Sequence, residues 1–250
     1  AMPIAEHPDV RLPIMVCQDG FITSHSVENI ELLEDEAVKP FVGEYTPEHY
    51  LLKHENPLAV GPYGVSAYYM EAKMAQAQAM VNAKQVILDV GKRFAALTGR
   101  QYGLLERYRM EDAEEAIVLI GSSAGTARVC VDVLRAQGRR VGMIKVRVYR
   151  PFPAEELAEA LAHVQAVAVM DKCESFSTHG GPLGSELRSA LYDAQLHPLL
   201  INFVYGLGGR DFAVTDCESV FDALREARKT GSAQPVYRHL GQRGGDLHGV

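Results

Sequence analysis

The glycine- and hydroxyl-rich segment 121–126, Gly121-Ser122-Ser123-Ala124-Gly125-Thr126, is the part of the sequence best suited to hold an anion. It joins a predicted strand to a predicted helix, and free N–H groups and the helix dipole favour negative charge at such a helix start. Gly121 and Gly125 permit close backbone approach, and Ser122, Ser123 and Thr126 offer hydroxyls. A phosphate, a carboxylate, a subunit contact or only a tight turn with capping side chains would each fit this pattern.

Two further loops carry charge at predicted strand ends. Segment 148–153 places Arg150 before a turn set by two prolines, and segment 206–211 places Arg210 and Asp211 after three glycines. Such glycines imply unusual backbone angles or close packing against another chain. We expect Arg150, Arg210 and Asp211 to serve anion binding or an interface, although the prolines and glycines also fit a purely structural role.

A fourth loop, 171–182, is long and polar and contains Asp171 and His179. Acid–base chemistry needs such groups, but a single His without a placed partner is a weak indication. No Walker A loop and no Gly-x-Gly-x-x-Gly motif occurs. The sequence therefore gives no sign of a P-loop enzyme.

The cysteines argue against a metal or redox centre held by this chain. Cys17, Cys130, Cys173 and Cys217 are widely separated and form no Cys-x-x-Cys motif. An iron–sulfur or zinc site needs clustered ligands, so no metal site is predicted. Isolated reduced cysteines fit a cytoplasmic protein.

Alternating strands and helices must position these loops. Strands are predicted at 115–121, 141–149, 166–171 and 198–206, and helices at 124–137, 153–164, 181–194 and 216–229. Apolar strands separated by amphipathic helices predict an α/β fold, an open and mostly parallel sheet with helices on both faces. Thr215 or Asp216 is the expected N-cap of the last helix.

The first hundred residues have a different character. Residues 11–17 read as a short buried strand, and residues 26–66 as a long irregular connector of the kind that wraps a partner. Residues 67–98 predict a long helix ending at Gly99, with a stripe of Met and other apolar residues for core or interface packing. We expect a first region at 1–66, an α/β domain with its leading helix at 67–230 and a partly ordered tail at 231–250.

Composition narrows the function classes. The chain has 250 residues and a formal net charge of −7. That balance argues against non-specific nucleic-acid binding, which needs a basic face. No apolar run suffices for a membrane span, and the polar, proline-containing N-terminus does not read as a signal peptide.

Several segments together resemble the alpha subunit of the 2-oxoacid:ferredoxin oxidoreductases, the pyruvate:ferredoxin oxidoreductase family. Segment 13–25, with its Asp-Gly-Phe and Ser-His, is similar to a stretch of that subunit. Segments 108–114 and 121–126 look like the start of its transketolase-C-terminal-like domain, and 150–153 and 206–211 match its later loops. The resemblance implies that 11–17 is a remnant strand of a second α/β domain, the pyrimidine-binding domain. Most of that domain, with its activating carboxylate, is expected to be missing.

The resemblance also implies a reaction. It is the oxidative decarboxylation of a 2-oxoacid, with coenzyme A as the usual acyl acceptor and ferredoxin or a relative as electron acceptor. Thiamine diphosphate, Mg²⁺ and 4Fe-4S clusters would belong to the complex, with thiamine-binding beta, gamma and ferredoxin-like delta subunits as partners. No cofactor is expected to bind this chain alone.

Three functional hypotheses follow. In the first, the chain is an enzyme subunit, inactive alone, whose residues Asp19, Thr23, Ser24 and His25 line the rim of an active site completed by other chains. In the second, it is a stand-alone α/β module that binds an anionic or phosphorylated ligand at the 121–126 loop. In the third, it is a structural scaffold of the same complex.

Overall fold

The computed structural model describes residues 1–243, whose contacts divide them into two units. One unit joins residues 1–17 to 28–103, and the other joins residues 18–27 to the chain from residue 104 onward. The short segment 18–27 therefore packs with the α/β part of the chain, although both of its neighbours in sequence belong to the first unit. The predicted tail is described only as far as residue 243.

The second unit contains a six-stranded sheet. Its strands are β1 (Leu105–Tyr108), β2 (Glu115–Leu119), β3 (Val141–Val146), β4 (Ala166–Asp171), β5 (Leu199–Val204) and β6 (Tyr237–His239), in the order β1-β3-β2-β4-β5-β6. β1 pairs antiparallel with β3, and every other neighbouring pair is parallel. The expectation of an open, mostly parallel α/β sheet is confirmed.

Helices cover both faces of this sheet. They are α5 (Ser123–Ala136), α6 (Ala154–Leu161), α7 (Pro182–Asp193) and α8 (Val214–Thr230). Ile117 of β2 packs into the core formed with α5 and α8, whereas the next residue, Val118, packs into the core formed with α6 and α7. Successive strand side chains point to opposite faces, which is why β2 and β4 are buried along their whole length.

Chain order reverses between β2 and β4. After β2 the chain crosses to β3 on one side, and it then returns to β4 on the other side of β2. The loops that leave the carboxyl ends of β2 and β4 therefore diverge and open a crevice, the place where open α/β sheets usually bind ligands.

The first unit is helical and thinly packed. It contains α1 (Met2–Ala5), α3 (Asp35–Val42) and α4 (Tyr69–Thr98), while α2 (Ile22–His25) lies in the segment 18–27. As predicted, α4 ends at Gly99, which adopts the left-handed conformation at φ 70°. The buried residues of α4 are Ala83 and Val86, which pack with Val10 in a small cluster.

Three details of the first region differ from the prediction. Residues 11–17 form no strand, and Met15 and Val16 are 87% and 81% exposed. A strand needs a neighbour to satisfy its backbone, and the described part of the first unit contains no other strand. The connector 26–66 is not irregular throughout, since it includes α3. By its contacts α4 belongs to the first unit, whereas the sequence reading joined it to the α/β domain.

Three details of the second unit also differ. Strands β1 and β6 were not predicted; both are short edge strands with no continuous apolar run. The strand predicted at 141–149 ends at Val146. The N-cap of α8 is Ala213 rather than Thr215 or Asp216, and the Asp216 carboxylate accepts the Ala213 N–H at 2.9 Å from inside the first turn.

The core formed with α5 and α8 gives a direct test of this packing. Phe221 of α8 is fully buried, so Phe221→Ala should lower the free energy of unfolding by about 3–5 kcal/mol through lost contacts and a residual cavity. Phe176→Ala is the matched control, because Phe176 is 85% exposed and its loss should cost less than about 0.5 kcal/mol. Equal urea midpoints for the two variants would contradict this core.

Candidate functional site

The chain's own Asp19 occupies the crevice at the carboxyl ends of β2 and β4. Its Oδ2 accepts the backbone N–H of Ser122, immediately before α5, at 2.5 Å. Its Oδ1 lies 3.6 Å from the Nζ of Lys172, the residue that follows β4. An N–H at a helix start and a lysine together suit a carboxylate. Among the alternatives left open for the 121–126 loop, the structure has a carboxylate of the same chain at this position.

Gly121 makes this approach possible. It adopts φ 85°, where only glycine is unstrained, and a Cβ at this position would lie 3.0 Å from the Asp19 Oδ2. The close backbone approach that the sequence analysis allowed at Gly121 is therefore made to the carboxylate of Asp19.

The surroundings keep Asp19 charged. Partial burial alone would raise the pKa of its carboxyl group, but hydrogen bonds from Ser122 and the charge of Lys172 outweigh burial. The pKa of Asp19 therefore lies below its usual value, and the carboxylate is ionised at neutral pH.

Tyr205, which follows β5, lies next to Asp19 and Lys172 with its ring buried. It is 3% exposed, its ring centroid lies 5.0 Å from that of Phe212, and the Lys172 Nζ lies 5.7 Å from its ring centroid. Burial raises the pKa of Tyr205 to about 12, a change that the nearby Ser123 hydroxyl opposes and the Asp19 charge supports. The buried hydroxyl has no hydrogen bond of good geometry, and it stays neutral.

The predicted rim residues Thr23, Ser24 and His25 lie on the exposed turn after Asp19. The Ser24 Oγ accepts the N–H of Phe21 at 2.9 Å and lies 3.0 Å from the Nδ1 of His25, within α2. The Phe21 and His25 rings are 5.0 Å apart. Of the four predicted rim residues, Asp19 points inward and anchors the turn, whereas the other three are displayed at the surface.

The other residues predicted for anion binding do not join this group as a free anion site. Ser123 is buried, Thr126 is half-buried, and Gly125 is exposed on the first turn of α5. Arg150 pairs with Glu186, with 2.8 Å between Nη1 and Oε2, and its guanidinium lies 4.3 Å from the Tyr149 ring centroid. The positive charge of Arg150 is therefore neutralised within the chain.

The last pair of predicted residues lies beyond β5. Arg210 donates a hydrogen bond to the carbonyl of Gly241, and Asp211 is exposed. Two of the glycines before them, Gly206 and Gly208, both adopt φ 66°, as the sequence predicted for an unusual backbone. In the structure Arg210 ties down the C-terminal segment.

Asp171, considered for acid–base chemistry, holds structure together instead. It is 5% exposed and accepts the N–H groups of Leu183 and Gly184 at 3.0 Å and the Asn202 side-chain amide at 2.9 Å. The Asn202 Oδ1 in turn accepts the Gly181 N–H at 2.6 Å. A carboxylate with all these partners fixes the start of α7.

The sequence analysis did not predict a second polar cluster, which lies near the carboxyl ends of β4 and β6. Tyr237 donates to Glu174 Oε1 at 2.8 Å, and the Nε2 of His239 lies 2.7 Å from Glu174 Oε2. Hydrogen bonding to Tyr237 is the largest of the interactions that lower the pKa of Glu174. No sequence pattern joins residues more than 60 positions apart, and only the pairing of β6 with β5 brings them together.

Neither a metal cluster nor a membrane helix is found among residues 1–243. No group of three or more His, Cys, Asp or Glu side chains in this part of the chain is placed to hold a metal ion. Within the same residues, no helix has the length and apolar character needed to cross a bilayer.

Comparison with known families places the chain. Residues 1–92 match the pyruvate flavodoxin/ferredoxin oxidoreductase, thiamine diphosphate-binding family, and residues 113–220 match the pyruvate:ferredoxin oxidoreductase core domain II. The two matches follow each other along the chain and include the segment 18–27 and the chain from β2 to the first two turns of α8. The chain belongs to the pyruvate:ferredoxin oxidoreductase family, as the resemblance of its motifs predicted.

Individual relatives agree with this assignment. The pyruvate synthase subunit PorA of Thermotoga maritima is 44% identical over 243 residues, which is 97% of this chain and 61% of that protein. The ketoisovalerate oxidoreductase subunit VorA of Pyrococcus abyssi is 38% identical over 92% of this chain and 58% of that protein. The chain thus spans about three fifths of the length of these relatives, which are named for two different 2-oxoacids.

A chain of the solved 2-oxoglutarate:ferredoxin oxidoreductase from Magnetococcus marinus aligns with this protein over 66% of this chain and 24% of that chain. It is 17% identical, with a TM-score of 0.41. At that level the likeness adds nothing to the assignment.

The Asp171 network predicts an intolerance of any side chain at Gly181. A Cβ there would lie 2.4 Å from the Asp171 carboxyl carbon, so Gly181→Ala should destabilise the protein by about 1–3 kcal/mol through overpacking. Gly125→Ala is the control, because a Cβ at Gly125 meets nothing within 4 Å and alanine favours helix by up to about 1 kcal/mol. Thermal unfolding of both variants tests the prediction, and an unchanged midpoint for Gly181→Ala would contradict the network.

Proposed function

We propose that this chain is part of a multi-subunit oxidoreductase that oxidatively decarboxylates a 2-oxoacid to an acyl-CoA. Electrons would pass to ferredoxin or a similar acceptor. The observation that carries the proposal is the ordered match of both parts of the chain to one enzyme family, together with relatives that are named subunits of such enzymes. The chain would work in the cytoplasm beside thiamine-binding beta, gamma and ferredoxin-like delta subunits.

The surface of the first unit supports a docking role. Many large apolar side chains of this unit are more than half exposed, including Leu51, Leu52, Tyr63, Met70 and Met74. Apolar exposure on this scale is unusual for a free-standing protein and marks an interaction surface. We propose that the rest of the assembled oxidoreductase covers it.

The same unit does not fit thiamine diphosphate by itself. The family resemblance implies an activating carboxylate at the thiamine aminopyrimidine, yet every Asp and Glu in the described part of this unit is exposed or only partly buried. The buried residues there, Val10, Ala83 and Val86, are apolar. We therefore propose that thiamine diphosphate, Mg²⁺ and the 4Fe-4S clusters bind elsewhere in the complex.

We propose that this chain supplies residues at the rim of the active site. Thr23, Ser24 and His25 stand on an exposed turn whose hydroxyl and imidazole groups can donate and accept hydrogen bonds. We propose that they line the rim of the active site and contact the 2-oxoacid or coenzyme A. The stand-alone anion-binding module is less well supported, because Asp19 already fills the place at the start of α5.

Assembly and turnover test the proposal together. Co-expressed with the remaining subunits, this chain should co-purify with an iron–sulfur protein, and the complex should reduce ferredoxin in the presence of a 2-oxoacid and coenzyme A. Calorimetry of the chain alone with thiamine diphosphate and Mg²⁺ should show no binding. A micromolar affinity would contradict the placement of the cofactor, and full turnover of a complex lacking this chain would contradict its role as a subunit.

Paired variants on α4 test the docking surface. Met70→Asp and Met74→Asp place a charge on exposed apolar positions that we expect to be buried in the complex, so both should lower the yield of assembled enzyme. Gln76→Asp introduces the same charge at an exposed polar position on the other side of the same helix and should have a smaller effect. Equal recovery of all three complexes by size-exclusion chromatography would show that this face stays in water.

A further inference from the structure

Segment 18–27 is anchored to the second unit by Asp19. Its carboxylate contacts two loops at once, the start of α5 through the Ser122 N–H and the end of β4 through Lys172. These loops leave neighbouring strands, so one side chain fixes the segment against both sides of the crevice. A hydrogen bond to an ionised acceptor is stronger than one between neutral groups, which suits this carboxylate to an anchoring role.

The crevice is shaped around this carboxylate. Gly121 leaves room for it on one side, and the fully packed Tyr205 ring closes the region where Lys172 lies. Asparagine in place of Asp19 would keep the size of the side chain but lose the charge that suits the start of α5 and Lys172.

A short hydrogen-bonded turn connects the anchor to the rim. The Ile22 N–H donates to the Gly20 carbonyl at 2.9 Å, and the His25 N–H donates to the Phe21 carbonyl at 3.2 Å. Phe21 adopts φ 67°, an unfavourable angle for a residue with a side chain, and Ser24 accepts its N–H. A strained residue persists when its surroundings fix it, so displacing Asp19 should change the orientation of the whole turn.

We infer that Asp19 is a positioning residue that sets the orientation of Thr23, Ser24 and His25 through its contacts with Ser122 and Lys172. The inference rests on the proposed function, in which these three residues face the substrates. It assigns no chemical step to Asp19, whose carboxylate is turned toward the crevice and away from the rim.

The test compares Asp19→Asn with Asp216→Asn in the assembled enzyme. Asp216 is the matched control because its carboxylate also accepts an N–H at a helix start, that of α8, but has no contact with the rim. Hydrogen–deuterium exchange of a peptide covering residues 20–26 should be several-fold faster in Asp19→Asn and unchanged in Asp216→Asn. The kcat for 2-oxoacid oxidation should fall about tenfold or more in Asp19→Asn only, as expected when reacting groups are slightly misplaced.

Two further variants separate positioning from simple loss of stability. Gly121→Ala would place a Cβ 3.0 Å from the Oδ2 of Asp19 and displace the carboxylate. It should therefore reproduce the faster exchange of residues 20–26 while Asp19 is still present. Asp19→Glu retains the charge and should restore part of the lost kcat. Matching thermal midpoints for Asp19→Asn and Asp216→Asn would exclude global unfolding as the cause.

The outcomes distinguish this inference from the proposed function. Unchanged exchange in Asp19→Asn, or equal changes in Asp216→Asn, would overturn the positioning role whatever the enzyme does. Faster exchange with an unchanged kcat would overturn the claim that the orientation of the turn matters for catalysis, and would leave subunit membership intact. A wild-type complex without 2-oxoacid turnover would overturn the proposed function, and with it the catalytic meaning of the anchor.

Discussion

A buried carboxylate, that of Asp171, fixes the edge of the sheet next to which Asp19 is held. Asp171 ends β4, and its two oxygens bind the start of α7 and the side chain of Asn202 on β5. Leaving such a charge unpaired in the interior would be costly, so the glycines that let the backbone approach, Gly181 and Gly184, are part of the same constraint. With this edge fixed, the next residue, Lys172, is held where it can meet Asp19.

Asp19, like Asp171, is a carboxylate that accepts a backbone N–H at the start of a helix, but it lies nearer the surface. Both carboxylates lie at helix starts, where unpaired N–H groups and the helix dipole favour negative charge. The two carboxylates differ in their distance along the sequence from the helix that they contact. Asp171 is local to its helix, whereas Asp19 arrives from a segment about one hundred residues earlier in the chain, so its contact is what joins the rim turn to the α/β unit.

The two units differ in how completely they bury their apolar side chains. The α/β unit has two well-filled cores and positions polar groups at one edge, whereas the first unit buries few residues and exposes many apolar ones. Under the proposed function, the α/β unit would supply a rigid frame for the residues of the site, and the first unit would supply a surface that is covered on assembly.

The sequence by itself determined the α/β fold, the order of its central strands and helices, the capping glycine of α4 and the family. Apolar periodicity, helix-ending glycines and short motifs are local signals that survive without tertiary contacts. For the loop at Gly121 it left an anion, a subunit contact and a tight turn as alternatives. Only the tertiary structure decided that the anion is Asp19, that Arg150 is neutralised by Glu186, and that Glu174 meets Tyr237 and His239. Each of these pairs joins residues distant in sequence, and the edge strands and the fate of residues 11–17 likewise depend on pairing partners that no local pattern encodes.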